Sequence, residues 1–213
     1  MKKTIYLVRH AESEINLDHD NSTIIDEESP LSEKGREQAH IVAERCAKLP
    51  VEALIASTQM RARETVAAIR ELVDLPVAFS DLFIERQFPS DVIGKPRGEM
   101  KERLRQWSQN YFTTDGEFSD LKVRGGKALK FLEEYPASSI LVVTHGFFMR
   151  MLLAQVIFGA SLSVDEFKKF IKATRTDNTG ITVLTYGTVP QHALDPDEER
   201  WMIRVYNDHA HLG

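Results

Sequence analysis

Cysteine is almost missing. Cys46 stands alone in 213 residues, so no disulfide can form within the chain and packing must hold the fold. Such sparse cysteine fits a reducing compartment. Long apolar runs are missing too: none approaches the roughly 20 residues of a membrane-spanning helix. The basic opening Met1-Lys2-Lys3-Thr4 leads into an apolar run that is too short for a signal peptide and breaks at Arg9. Together these absences predict a cytoplasmic protein without membrane contact. Cationic excess is also absent. A net charge of −5 argues against a nucleic-acid partner, and an anionic ligand would have to be drawn by a local positive pocket. No internal repeat and no domain boundary is visible, so a single domain over 1–213 is expected. What is plentiful is ordinary: 42% hydrophobic and 28% charged residues, the mixture of a globular chain.

Strands and helices alternate along the sequence. Residues 4–8 (Thr-Ile-Tyr-Leu-Val) form a β-branched, apolar strand that closes on Arg9-His10. Residues 17–30 are polar and aperiodic, a surface loop. Ser32 caps a helix whose buried stripe is Ala39, Val42, Ala43 and Cys46; Cys46 is read as core. A strand at Val51–Ser57, a helix to about Asp74 with Ala62, Thr65, Val66, Ile69, Leu72 and Val73 inward, and a short strand at Pro76–Phe79 follow. Residues 81–118 are irregular and carry one helix at Glu99–Phe112; they read as an excursion that covers a site, anchored by Trp107 and Tyr111. A helix at 120–135, with Gly125-Gly126 as an initiating kink, precedes the most apolar strand, Ser139–Thr144. An apolar helix, Phe147 to Phe158, comes next, and Ser163-Val164-Asp165-Glu166 fits a capping box. Gly180–Tyr186 and Arg200–Tyr206 close the chain as strands, one of them antiparallel. The expected fold is α/β: a three-layer α/β/α sandwich around a mostly parallel six-stranded sheet with one antiparallel edge strand.

Three strands end on the same kind of residue. The first delivers Arg9 and His10, the second leads into a helix whose first turn holds Arg61, and the fourth delivers His145. If these strands are parallel, the groups converge in the crevice beyond their carboxyl ends, beside helix N-termini, where an anion is favoured. Guanidinium groups offer two-pronged hydrogen bonds to a phosphate.

At these residues the chain resembles a known family. Arg9-His10-Ala11-Glu12-Ser13 with Asn16, then Pro30-Leu31-Ser32-Glu33-Lys34-Gly35-Arg36-Glu37-Gln38-Ala39, then Ser57 through Thr65, then Val143-Thr144-His145-Gly146 resemble, in order, the landmarks of the histidine phosphatase superfamily, phosphoglycerate-mutase-like branch. The resemblance implies a phosphomonoesterase working through a phosphohistidine on a small phosphorylated metabolite or phosphoprotein. It implies His10 as nucleophile; Arg9, Asn16, Arg61 and His145 as phosphate ligands; and Glu85 as proton donor. No metal or other cofactor is implied. Two departures stand out. Ala11 replaces the usual Gly, and Glu85-Arg86-Gln87-Phe88-Pro89 departs from the phosphatase pattern and partly resembles the mutase pattern, with Gln87 and Pro89 as departures. Asp81 and Asp91 are fallback acids.

Other readings stay in view. A phosphoglycerate-type phosphomutase is the first alternative, kept alive by Glu85-Arg86; a non-catalytic phospho-ligand module is the second. The residues after Cys46 lack the arginine of a cysteine phosphatase. Gly125-Gly126-Lys127 lacks the rest of a phosphate-binding loop. Asp18-His19-Asp20 follows no buried strand and reads as a solvated loop. His209 and His211 read as a mobile polar C-terminus rather than metal ligands, and His40 and His192 as solvent-facing. Arg86, Lys95, Arg97 and Arg103 are candidates for a second anionic group of the substrate, with at least two of the four taken as solvated surface charge. The expected state is a monomer or homodimer.

Overall fold

Six strands form one sheet, in the order β3-β2-β4-β1-β5-β6: β1 (Lys3–Arg9), β2 (Ala53–Ala56), β3 (Val77–Phe79), β4 (Ser139–Thr144), β5 (Ile181–Gly187) and β6 (Arg200–Asp208). This is a computed structural model, and it describes residues 2–17, 23, 28–112, 117–188 and 198–213. Strands β1 to β4 run parallel, with Arg9 opposite Thr144 and Ala56 opposite Val143. Three strands therefore finish at one level. The residues that follow them (His10, Ser57 and His145) are set side by side before any helix is considered.

One strand runs against the rest. It is β5, paired antiparallel with both β1 and β6. The expectation of an antiparallel edge strand is corrected by one place. The hairpin from β5 returns β6 to its outer side, so the reversed strand lies inside the sheet and the edge strand shares the direction of β1.

Period-two alternation explains how the sheet holds two helical layers. Ile5, Leu7, Ile55, Ile140, Val142 and Leu184 face one side, with α4 (Glu117–Glu134) and α5 (Gly146–Phe158). Val8, Leu54, Ala56, Leu141, Val143 and Ile181 face the other, with α1 (Glu33–Cys46) and α2 (Met60–Leu72). Helix α5 is apolar almost all round because most of it is covered: Phe148, Met149, Met151, Leu152, Leu153 and Ala154 are fully buried, and Ile157 near its C-terminal end is exposed. Cys46 sits inside the α1–α2 layer, where burial pushes its thiol up to about 12.

The excursion holds α3 (Lys101–Asn110), shorter by two residues at each end than its sequence pattern implies. Ser163 caps α6 (Val164–Ala173) through the expected box with Glu166. Two expectations fail. Gly125-Gly126 does not initiate a helix but lies inside α4; a Cβ at Gly125 would stand 2.9 Å from the Gln155 side chain, so the glycine serves the packing of α4 on α5. The C-terminus is tied down: Asp208 pairs with Arg45, and His211 meets Thr179 Oγ1 at 3.0 Å and Arg45 at 3.2 Å. His40 is exposed, as expected. Asp18-His19-Asp20 and His192 lie outside the described residues.

Candidate active site

The segment after β1 is held from three directions. From α1, Ser32 caps the helix by accepting from the Gly35 N–H at 3.0 Å and donates to Glu12 Oε1 at 2.9 Å; Gln38 Oε1 accepts from the Glu12 N–H at 2.9 Å. Gly35 is required here, because a Cβ would lie 1.8 Å from the Glu12 carbonyl oxygen. From α2, Thr65 Oγ1 accepts from the Ala11 N–H at 3.0 Å and donates to the Arg61 carbonyl at 2.7 Å. From the start of β5, the Thr179 N–H donates to the Arg9 carbonyl and Asn178 Nδ2 to the His10 carbonyl, both at 3.0 Å. Ala11 is fully buried within this frame, so its extra methyl is packed rather than projected.

The frame presents His10 and hides His145. Their ring centroids are 4.9 Å apart. His10 Nδ1 lies 2.7 Å from the Ala11 carbonyl. A carbonyl only accepts, so Nδ1 carries the proton and Nε2 keeps its lone pair. His145 is fully buried, with Nε2 2.8 Å from Ser57 Oγ. Burial, and then the Arg61 cation, hold both rings well below the usual histidine range; Arg9 acts in the same direction on each. Both imidazoles are therefore neutral near pH 7.

Arg61, in the first turn of α2, is buried and donates to Gln59 Oε1 at 3.0 Å. Arg9 donates to the Thr176 carbonyl at 2.5 Å. Its approach depends on Gly146, where a Cβ would stand 3.1 Å from Arg9 Nε and 2.7 Å from Thr176 Oγ1. Two buried nitrogens in this corner, Arg9 Nε and His145 Nδ1, meet no hydrogen-bond partner among the described residues. A buried N–H left without an acceptor costs about 1–3 kcal/mol, and an anion would supply the acceptor.

Glu85 is gripped by backbone. Its Oε1 accepts from the N–H groups of Phe148 and Arg86, both at 3.0 Å, and its Oε2 from that of Phe147 at 2.9 Å. The carboxylate thus sits on the first turn of α5, where a negative charge is favoured. Arg9, His10, Asn16, Arg61 and Glu85 line one cleft of about 420 Å³. Asn16 turns its Oδ1 to the Ser13 N–H and hydroxyl. His145 is not in the lining; it lies beneath it, against His10. The fallback acids are elsewhere: Asp81 accepts from Thr58 on the surface and Asp91 pairs with Arg103.

Of the four cations considered for a second anion, Arg86 and Arg97 line the cleft, whereas Lys95 and Arg103 do not. Trp107 is both anchor and wall: it packs on Phe88, donates to Glu117 and reaches the cleft, with the Arg86 guanidinium 4.6 Å over its ring. Sequence reasoning missed Arg150, Thr174, Arg175 and Thr176, which also line it. Arg150 had a signal, since it lies one turn beyond Gly146 on the same helix. The segment 174–176 had none, because it reaches this end of the sheet only if β5 is the reversed strand, and the sequence left open which of the last two strands that was. Among the described residues, no group of three or more His, Cys, Asp or Glu side chains gathers to hold a metal, and no helix is long and apolar enough to cross a membrane.

A mixed α/β sheet whose strand ends bring His10 and two arginines to one cleft, with a second neutral histidine packed against His10, defines a protein of the histidine-phosphatase type. The chain belongs to the histidine phosphatase superfamily, branch 1, whose family model matches residues 5–208. It is 27% identical over 210 residues to the uncharacterized phosphatase PhoE of Bacillus subtilis, covering 98% of this chain and 96% of that one. It is 26% identical over 216 residues to the "Probable phosphoglycerate mutase GpmB" of an Enterobacter species, covering 98% and 94%. Among solved structures, Bacillus stearothermophilus YhfR superposes with a TM-score of 0.77 at 21% identity, covering 99% of this chain and 100% of that one. A mycobacterial glucosyl-3-phosphoglycerate phosphatase superposes at 0.71 and 19%, covering 97% and 99%. At these identities the two structures share the fold.

Proposed function

We propose that the chain is a phosphomonoesterase that moves the phosphoryl group of a small phosphorylated metabolite through His10. The observation that carries this reading is the neutral His10 ring, with its proton held on Nδ1 by the Ala11 carbonyl and Nε2 left as a nucleophile beside Arg9 and Arg61. An imidazolium has no lone pair to attack with, so a buried ring kept neutral by adjacent cations suits the task. Nε2 attacks phosphorus and the P–O bond to the leaving alcohol breaks, with Glu85 entering this step in its acid form and giving the departing oxygen its proton. Water then attacks the phosphohistidine and yields its proton to Glu85; the N–P bond breaks, and inorganic phosphate leaves. Arg9 and Arg61 spread the charge of the equatorial oxygens, and Asn16 adds a hydrogen bond at the rim. The chain supplies this charge neutralisation with its own guanidinium groups, and the single buried cysteine fits a cytoplasmic setting.

Likeness to PhoE and to a glucosyl-3-phosphoglycerate phosphatase supports the hydrolytic outcome. A phosphomutase is the second reading, favoured by Glu85-Arg86 at the cleft and by likeness to GpmB. Hydrolysis of p-nitrophenyl phosphate, lost in His10→Ala, is expected; turnover that survives the substitution contradicts the proposal, and a wild-type protein that binds phosphate without turnover is a binding module. Product analysis with 3-phosphoglycerate, with and without 2,3-bisphosphoglycerate, separates release of inorganic phosphate from isomerisation.

A further inference from the structure

His145 is the buried partner of His10, and its usefulness depends on which of its nitrogens carries a proton. The answer lies in Ser57, the residue that follows β2. Ser57 is fully buried. Among the described residues its hydroxyl oxygen meets two groups, the Gln59 N–H at 3.3 Å and His145 Nε2 at 2.8 Å. An amide N–H can only donate, so toward Gln59 the oxygen accepts. The hydroxyl proton then has one acceptor in reach, His145 Nε2. The opposite arrangement, with Nε2–H donating to the hydroxyl, would strand that proton in a buried site.

We propose that Ser57 is a positioning residue that fixes His145 as the Nδ1–H tautomer, so that the neutral ring donates from Nδ1 to an oxygen of the transferring phosphoryl group. The inference rests on the phosphatase reading above and deepens it. Nδ1 is buried and among the described residues meets no acceptor, which is the condition expected of a donor reserved for a ligand. The groups that face the ring are Arg61 from α2, Arg9 and His10 from the end of β1, and Arg124 from α4. Three of these four are cations and the fourth is a neutral imidazole. A protonated ring would be repelled there, so a donor that needs no protonation suits the site. Ser57 does for His145 what the Ala11 carbonyl does for His10: each ring has its proton placed on Nδ1 by a neighbour fixed at a strand end. One ring is left with a nucleophilic Nε2, the other with a donating Nδ1–H.

The direct test is two-dimensional nitrogen–proton NMR of the imidazoles in the full-length protein labelled with ¹⁵N-histidine, with His145 assigned by loss of its signals in His145→Gln. The expected result is a pyrrole-type Nδ1 and a pyridine-type Nε2 at His145, unchanged from about pH 6 to about pH 8. A pyrrole-type Nε2, or a doubly protonated ring in that range, overturns the inference without any variant. In Ser57→Ala the signals should move toward the other tautomer, with kcat reduced about 10- to 100-fold and KM altered much less; Ser57→Thr, which keeps the hydroxyl, should recover tautomer and rate together. A Ser57→Ala enzyme with the wild-type tautomer and rate contradicts the role. Failure of the phosphatase reading looks different: the NMR pattern holds while no phosphomonoester is hydrolysed.

Discussion

Gly146 shows how one missing methyl sets the chemistry. Its Cα faces Arg9 and Thr176, and a Cβ would meet only side-chain atoms, at 2.7 to 3.3 Å. Side chains can yield where backbone cannot. Gly146→Ala is therefore expected to fold with little change in Tm while displacing the Arg9 guanidinium. A catalytic group misplaced by about an ångström costs on the order of 10²-fold in rate; steady-state kinetics beside a thermal melt checks both halves. The two buried histidines make a second prediction. Both sit well below the usual value of 6.5 in the folded protein. Below that value the unfolded chain binds protons that the native state refuses, so stability falls as pH drops through about 6.5 and continues to fall toward the lower folded values. Urea midpoints in phosphate-free buffer should decline between about pH 7 and about pH 5.5, and the decline should be shallower in a His10→Ala, His145→Ala double variant. An equal slope in that variant would place the titration elsewhere.

At the scale of elements, α1 acts as a clamp on the loop after β1. Gly35 lies against the Glu12 backbone, where a Cβ would stand 1.8 Å from the carbonyl oxygen. No rotamer relieves that clash, so Gly35→Ala must push either the helix or the loop. Overpacking of this kind costs about 1–3 kcal/mol or more. The expected outcome, unlike that of Gly146→Ala, is a lowered denaturant midpoint together with lost activity, since the same loop carries His10. The elements also show what the sequence made legible. Strand ends were readable because short, continuously apolar runs stop at Arg9, Ser57 and Thr144, and the alternation of strands with helices made them parallel. Ser32, Gly35 and Gln38 were recognisable as a landmark, but their work on Glu12 was not, because it depends on a contact between segments about 25 residues apart. Gly125-Gly126 misled for the same reason: a glycine kept for close packing on Gln155 has the local signature of a breaker. The edge position of the reversed strand failed because strand direction can be read from connection length, whereas lateral order cannot.

For the whole molecule, charge is unevenly spread. The chain carries −5 overall, yet the described residues that line the cleft include Arg9, Arg61, Arg86, Arg97, Arg150 and Arg175 and, among them, one carboxylate, Glu85. Such a concavity draws anions that the surrounding surface repels. For a phosphomonoester, kcat/KM should fall as salt rises from about 0.02 to about 0.5 M, over which the Debye length shrinks to a few ångströms, while kcat changes little; a salt-independent kcat/KM would mean the cleft's field plays no part in capture. Above all, these arrangements serve one group, the Nε2 of His10. Rapid mixing with a ³²P-labelled phosphomonoester, a quench that avoids acid, and peptide mapping test it most directly. Label on the peptide carrying His10, labile to acid, stable to base and absent from His10→Ala, is the result expected. Hydrolysis that proceeds with no labelled peptide, or with label on any residue other than His10, contradicts the account.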